Sequence, residues 1–228
     1  ALAESHPVRY FATLRDCGAL KAVFPEIEAL YGVPQPERHH PEIDTGVHTM
    51  MVLEQSAALS DDPATRFAAL AHDLGKALTP SSEWPSHGGH EERGVQVINQ
   101  FCDRFRAPNR FRELAIIVAR HHLDCHRIAE LRPDTILRKL EATDGFRRPD
   151  RFEQFLLACE ADARGRTGFE ARAYPQAELW RIALEAARDA DFSDLDLPRL
   201  GGEAAAAAIR KRRVEEIRDA LSVGEDDD

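Results

Sequence analysis

The stretch AALAHDLGKALTP (residues 68–80) decides the fold, because an apolar helix face ends there in two adjacent polar side chains. Between Phe67 and Leu74, apolar residues recur at i, i+3, i+4 and i+7, which is the spacing of an amphipathic helix. His72 and Asp73 stand at the end of that helix. Since burial of an imidazole and a carboxylate is costly without a partner, the sequence predicts a buried helix end that binds something.

Helical periodicity continues along almost the whole chain, and no alternating apolar pattern of convincing length indicates a sheet. Thr45 is expected to cap one helix, and Gly75 is expected to end the next. Two short helical stretches in 7–31 precede a Pro-rich connector at 34–42. Further helices are predicted at about 94–106, 109–122, 134–145, 150–163, 175–190 and 203–221. The sequence therefore predicts an all-α fold.

The totals describe a globular chain of 228 residues, with a charged fraction of 31% and an apolar fraction of 43%. No apolar run approaches the roughly 20 residues that a membrane span needs, and the first residues show no signal peptide. The four cysteines are far apart and form no CxxC pair, which argues against a cysteine zinc site or a disulfide scaffold. We therefore expect a cytoplasmic protein without a membrane partner. Because the chain does not begin with Met, it is also expected to be a fragment of something longer.

Charge is unevenly placed along the chain. The net charge of −10 argues against general affinity for nucleic acids, and the acidic EDDD stretch (225–228) closes the chain. Arginine and lysine nevertheless cluster, above all in RKRR (210–213). Such a cluster can bind phosphates or can simply form a solvated helix face.

A second pattern is the placement of histidines where apolar stripes end. Seven of the ten histidines lie between His48 and His126. Asp144 likewise ends an apolar stripe on a later predicted helix. Each of these residues has an ordinary explanation alone, such as a helix cap or a turn. Together, neutral imidazoles and carboxylates suit a divalent transition metal or Mg²⁺.

The order H…HD…H…H…D, with HDLGK (72–76) at its centre, resembles the HD superfamily of metal-dependent phosphohydrolases. The match covers about residues 44–146. The resemblance implies an HD-domain helical bundle and a metal held by four residues: His48, His72, Asp73 and Asp144. Mg²⁺ and Ni²⁺ are the expected ions, and Mn²⁺ and Co²⁺ are compatible with the same ligands.

A longer resemblance extends beyond that core. TLRDCGAL (13–20), PEIDTGVHT (41–49) and EADARGRTGFE (160–170) resemble the C-terminal half of bacterial CCA-adding tRNA nucleotidyltransferases that carry an HD domain. This implies connector helices over 1–43, an HD domain over 44–146 and a helical tail over 147–228. The Gly-rich stretch and paired carboxylates of the nucleotidyltransferase head are not in this chain, so an N-terminal half is expected in the parent protein.

The same resemblance implies 2′,3′-cyclic phosphodiesterase, 2′-nucleotidase and phosphatase activity on nucleotides or tRNA 3′ ends. A homodimer is also compatible with it. Two other functions are kept open. One is an HD nucleotidase that acts on free mononucleotides, and the other is a non-catalytic module that docks tRNA and holds a structural metal.

Catalytic roles are expected for four residues near the HD dyad. Asp73 would orient the attacking water, and Lys76 would meet a non-bridging phosphate oxygen or simply stabilise a helix end. His90 and His122 are candidates for contacts around the metal or for protonation of the leaving group. Three further histidines are weaker candidates for the same site: His87, His121 and His126.

Substrate contacts are expected from the basic stretch DARGR. Arg164 and Arg166 suit forked contacts to phosphate, and Gly165 between them permits a close backbone approach. The alternative is that Asp162 and the two arginines form an ion-pair network that fixes the tail helices.

Overall fold

The computed structural model describes residues 1–222, so the EDDD stretch lies outside the described residues. The predicted all-α class is confirmed, because these residues form helices and no strand; extended pairing is limited to one isolated bridge between Pro34 and Asp44. Within the same range, no helix combines the length and the apolar composition that crossing a membrane requires.

Twelve α-helices follow one another in the described chain: α1 (Pro7–Asp16), α2 (Leu20–Val23), α3 (Pro25–Glu28), α4 (Thr45–Leu59), α5 (Pro63–Ala71), α6 (His90–Phe105), α7 (Asn109–His126), α8 (Pro133–Ala142), α9 (Pro149–Arg164), α10 (Pro175–Asp189), α11 (Leu197–Leu200) and α12 (Gly202–Ser222). Three short 3₁₀ helices cover Leu74–Leu78, Ser81–Glu83 and Ile128–Glu130.

Packing divides the chain into two compact units. The first contains residues 1–126 and 153–174, and the second contains 127–152 together with 175–222 of the described residues. The predicted segments end at 43 and 146, whereas this division keeps the connector in the same unit as α4 to α7. It also assigns most of α9 to that first unit.

An aspartate cap explains where α4 begins. The Asp44 carboxylate accepts hydrogen bonds from the N–H groups of Val47 (2.9 Å) and Gly32 (2.6 Å), so it caps α4 and ties it to the preceding segment. Thr45, the predicted cap, is the first helical residue, and its hydroxyl donates to the Val33 carbonyl.

The end of α5 differs from the prediction that Gly75 stops the helix. His72 is the last residue before the turn, and the chain continues as a 3₁₀ helix over Leu74–Leu78. A Cβ at Gly75 would collide with the backbone of His90 and Gly94. The absence of a side chain at Gly75 therefore allows the turn to pack closely against α6. This contact brings the HD dyad beside the start of α6.

Candidate metal centre

Asp73 is the centre of a buried cluster in the first unit. Its Oδ2 lies 3.1 Å from His72 Nε2 and 2.6 Å from Lys76 Nζ. Its Oδ1 lies 3.3 Å from His90 Nε2 and 3.8 Å from His122 Nε2. All five residues are buried, so the cluster is shielded from water.

Hydrogen bonds to the backbone orient three of these imidazoles. His72 Nδ1 donates to the Ala69 carbonyl (2.7 Å), His90 Nδ1 donates to the His87 carbonyl (2.9 Å), and His122 Nδ1 donates within its own helix (3.1 Å). A neutral imidazole that carries its proton on Nδ1 has a lone pair on Nε2. In this neutral form the three Nε2 lone pairs would face a carboxylate, an arrangement that favours a cation between them.

Unpaired atoms mark the same place. His72 Nε2, His90 Nε2 and Asp73 Oδ1 are buried and have no hydrogen-bond partner among the described residues. Buried polar atoms are normally paired, since an unpaired one costs about 1–3 kcal/mol. A divalent metal bound here would have these three atoms as its ligands.

A second carboxylate, Asp162 of α9, continues the cluster. Its Oδ1 lies 3.1 Å from His48 Nε2, 3.6 Å from His72 Nε2 and 3.6 Å from the Arg166 guanidinium. Its Oδ2 accepts a 2.7 Å hydrogen bond from His126 Nε2. His72 thus lies between the two carboxylates.

The loop after α9 orients His48. The Nδ1 atom of His48 lies 2.9 Å from the Gly165 carbonyl and 3.0 Å from Glu42 Oε1. A Cβ at Gly165 would lie 2.7 Å from Val52 Cα, so glycine is needed for the approach of this loop to α4. The predicted close approach at Gly165 is therefore to a helix of this chain.

The protonation states suit a cation site. Burial opposes ionisation of Asp73, but His72 and Lys76 hold its pKa well below the usual range. Burial likewise opposes ionisation of Asp162, and His72 and His126 lower its pKa well below the usual range. Burial lowers the pKa of His122 to about 3, so that imidazole is neutral. Burial opposes protonation of His72 and His90, but Asp73 raises the pKa of both imidazoles. Because metal ligands must be deprotonated, a metal that binds these two imidazoles would displace their protons.

Two sets of three donors satisfy the distances of a metal site: His48, His72 and Asp162 form one, and Asp73, His90 and His122 form the other. Within each set the donor atoms lie within 4.8 Å of one another. A third set, His40, Glu42 and His48, is less buried and shares His48 with the first. Imidazole and carboxylate donors fit a divalent cation.

Asp144 requires a correction to the predicted ligand set. It lies in the second unit, where its carboxylate contacts the side chains of Arg147 (2.6 Å), Arg151 (3.1 Å) and Arg148 (4.0 Å). Because three guanidinium groups neutralise it, Asp144 does not belong to either donor set. The acid that meets His48 and His72 is Asp162.

The two arginines of DARGR differ in position. Arg166 lies beside Asp162, and its Nε is buried without a partner among the described residues. Arg164 instead pairs with Glu160 at 2.6 Å and donates to the Arg172 carbonyl. Only Arg166 of this pair lies at the cluster.

The three weaker histidine candidates differ in their contacts. His126 holds Asp162, as described above. His87 Nε2 donates to the Pro34 carbonyl at 2.7 Å, which fixes the connector. His121 lies 3.8 Å from Asp124, a residue of its own helix, and it is absent from the donor sets.

Comparison with known proteins finds a family and relatives that this chain is similar to. Residues 45–149 match the HD domain family. The Multifunctional CCA protein of Thioalkalivibrio sulfidiphilus is 57% identical over 218 residues, that of Methylococcus capsulatus is 59% identical over 219 residues, and that of Nitrosococcus oceani is 56% identical over 221 residues. The matches cover 96%, 96% and 97% of this chain and 53%, 52% and 54% of those proteins. The chain thus spans about half the length of the curated relatives it matches.

Proposed function

Because the chain carries an HD domain in residues 45–149, we propose that it is a metal-dependent phosphohydrolase with 2′,3′-cyclic phosphodiesterase, 2′-nucleotidase and phosphatase activity. Its substrates are nucleotides or the 3′ ends of tRNA, and it serves tRNA maturation and repair as the HD part of a longer cytoplasmic protein. The names of its relatives support the link to the CCA end.

The observation that carries this proposal is the cluster of unpaired Nε2 atoms around Asp73. His72 and His90 are oriented through Nδ1 and direct Nε2 toward the carboxylate. His48, His72, Asp73 and Asp162 would hold the cation, which would lower the pKa of a bound water and neutralise charge on the phosphoryl group. Mg²⁺ and Ni²⁺ are the proposed ions.

The remaining residues would act on the substrate. Lys76, whose Nζ lies 2.6 Å from Asp73, would bind a non-bridging phosphate oxygen. Arg166 would bind a second phosphate oxygen through its fork. Asp73 would orient the attacking water. His122, which is neutral, would add a donor to the Asp73 set. His90, whose pKa Asp73 raises against the effect of burial, would in its protonated form supply the proton that the leaving oxygen takes up.

The test is hydrolysis of 2′,3′-cyclic AMP by protein stripped of metal and then supplied with Mg²⁺, Mn²⁺, Co²⁺ or Ni²⁺ in turn. We expect turnover to return with at least one ion. Salt-dependent tRNA binding without metal-dependent turnover would instead identify a docking module. Equal rates on free mononucleotides that lack the 2′ oxygen would favour the nucleotidase.

A further inference from the structure

Gln35 is a buried residue of the connector that lies against the cluster. Its backbone N–H donates to the Ile43 carbonyl at 2.7 Å, and the preceding Pro34 carbonyl accepts from His87 Nε2 at 2.7 Å. Gln35 as a whole is only 2% exposed. The connector backbone therefore holds this amide in one place.

The orientation of the amide follows from its partner. Lys76 Nζ donates to Gln35 Oε1 at 2.5 Å. A lysine ammonium can only donate, so the oxygen must face it and the NH₂ group must point away. Gln35 Nε2 is buried and has no acceptor among the described residues.

Lys76 shows the same surplus of donors. Of its three N–H bonds, one meets Asp73 Oδ2 and one meets Gln35 Oε1. The third has no partner among residues 1–222. Two neighbouring side chains thus offer N–H donors in a buried site beside the metal ligands. An anionic oxygen would satisfy both donors, whereas a cation would be repelled by them.

We propose that Gln35 is a substrate-binding residue, whose amide N–H group binds a phosphoryl oxygen next to Lys76. The inference rests on the proposed phosphohydrolase function and names one further contact of the same site. It assigns the connector a direct part in substrate recognition, although the predicted domain boundary at residue 43 leaves this segment outside the HD domain.

The test compares three variants of the full chain loaded with Mn²⁺. Gln35→Met keeps the length of the side chain and removes both polar groups. Gln35→Glu keeps an oxygen for Lys76 and removes the N–H donor. Gln154→Met is the matched control, because Gln154 donates to Asp62, outside the cluster of the same unit.

Binding of inorganic phosphate by calorimetry, KM for 2′,3′-cyclic AMP and Mn²⁺ affinity are measured for each. Loss of a hydrogen bond to a charged group is expected to weaken phosphate binding and to raise KM by about tenfold or more in Gln35→Met. In Gln35→Glu the added charge repels phosphate, so the loss is larger. Mn²⁺ affinity should stay unchanged in both, and Gln154→Met should match the wild type in all three measurements.

Wild-type phosphate affinity in Gln35→Met would overturn the inference, even if Gln35→Glu binds phosphate weakly. Weaker Mn²⁺ binding in Gln35→Met would also overturn it, because Gln35 would then act by positioning Lys76 and Asp73. If Gln35→Met does not fold, wild-type phosphate affinity in Gln35→Glu is the contradicting result. Absence of metal-dependent turnover in the wild type would reject the phosphohydrolase function itself.

Discussion

At the scale of single residues, two aspartates differ in their partners: one faces the imidazoles of the cluster, and the other is paired with arginines. Asp162 is 3% exposed and faces His48 and His72. Asp144 is bound by arginines. A metal competes poorly for a carboxylate that guanidinium groups already neutralise, so the two aspartates should respond differently to the same substitution.

Asp162→Asn is expected to weaken Mn²⁺ binding by at least roughly tenfold, because even the partners of metal ligands contribute that much to affinity. Asp144→Asn should bind Mn²⁺ as the wild type does. Calorimetric titration of both variants measures the difference. Equal losses in the two would mean that Asp144 is a ligand after all.

The HD dyad itself gives the next prediction. His72→Ala and Asp73→Ala should each abolish hydrolysis of 2′,3′-cyclic AMP, because each removes a side chain that is proposed to hold the cation. The far-UV circular dichroism should remain helical, since both residues lie after the last residue of α5. A variant with nearly normal rate would reject the metal site.

Arg166 and Arg164 form a natural pair for testing substrate contact. Arg166→Gln should raise KM for a cyclic phosphate by roughly 10–100-fold, since a hydrogen bond to a charged group contributes about 1.5–3 kcal/mol. Arg164→Gln should leave KM unchanged because its partners are Glu160 and the Arg172 carbonyl. Steady-state kinetics decide the assignment, and an unimpaired Arg166→Gln variant would return Arg166 to a structural role.

The sequence pattern that predicts Asp144 as a ligand also applies to Asp162. Asp144 stands at the end of an apolar stripe, just before a glycine, and it matches the last acid of the motif in order along the chain. Phe155, Cys159 and Asp162 recur at i, i+4 and i+7 on one buried face of α9. A carboxylate inside such a stripe is costly without a partner, and this criterion selects Asp162.

At the scale of elements, the contact between the 3₁₀ helix at Leu74–Leu78 and the start of α6 positions the cluster. Gly75 lies directly against the backbone of His90 and Gly94. Since the dyad precedes this turn and His90 begins α6, the distance between Asp73 and His90 depends on how closely the two backbones pack.

Gly75→Ala is therefore expected to push α6 away from the turn. Overpacking of this kind costs about 1–3 kcal/mol, which corresponds to a melting temperature lower by roughly 2–10 °C for a protein of this size. Mn²⁺ affinity should fall as well, because His90 moves from Asp73. Gly88→Ala is the control, since a Cβ there would meet nothing within 4 Å. Equal melting temperatures for the two variants would contradict this role of Gly75.

Local signals explain why the helices could be predicted. Asp62 caps α5 and Pro63 is its first residue, so two adjacent residues predict where that helix begins. The connector gave no such signal. Gln35 reaches the cluster through a contact with Lys76, which is 41 residues further along the chain, and no local period encodes such a contact.

At the scale of the whole molecule, the basic residues near the end of the described chain have acidic partners in their own unit. In the second unit the predicted RKRR cluster lies on α12, and two of its arginines are paired: Arg210 contacts Glu141 at 2.5 Å and Arg212 contacts Asp194 at 2.7 Å. These pairs support the interpretation of RKRR as a solvated helix face. They also limit how much this cluster can contribute to binding RNA.

This limit can be measured through the salt dependence of tRNA binding. Arg213 packs over the Phe146 ring at 4.6 Å, whereas the Lys211 side chain is 80% exposed. Four free cations would contribute about 3.6 to the slope of log K against log salt, at roughly 0.9 for each phosphate contact.

Because only Lys211 is so exposed, replacement of all four residues by Gln should lower that slope by about 1. Lys211→Gln alone should reproduce most of the change. Hydrolysis of 2′,3′-cyclic AMP should be unaffected in both variants, since α12 contributes no residue to the donor sets. A decrease of the slope by about 3.6, the value for four phosphate contacts, would show that the ion pairs open when RNA binds. RKRR would then be an RNA-binding surface rather than a solvated face.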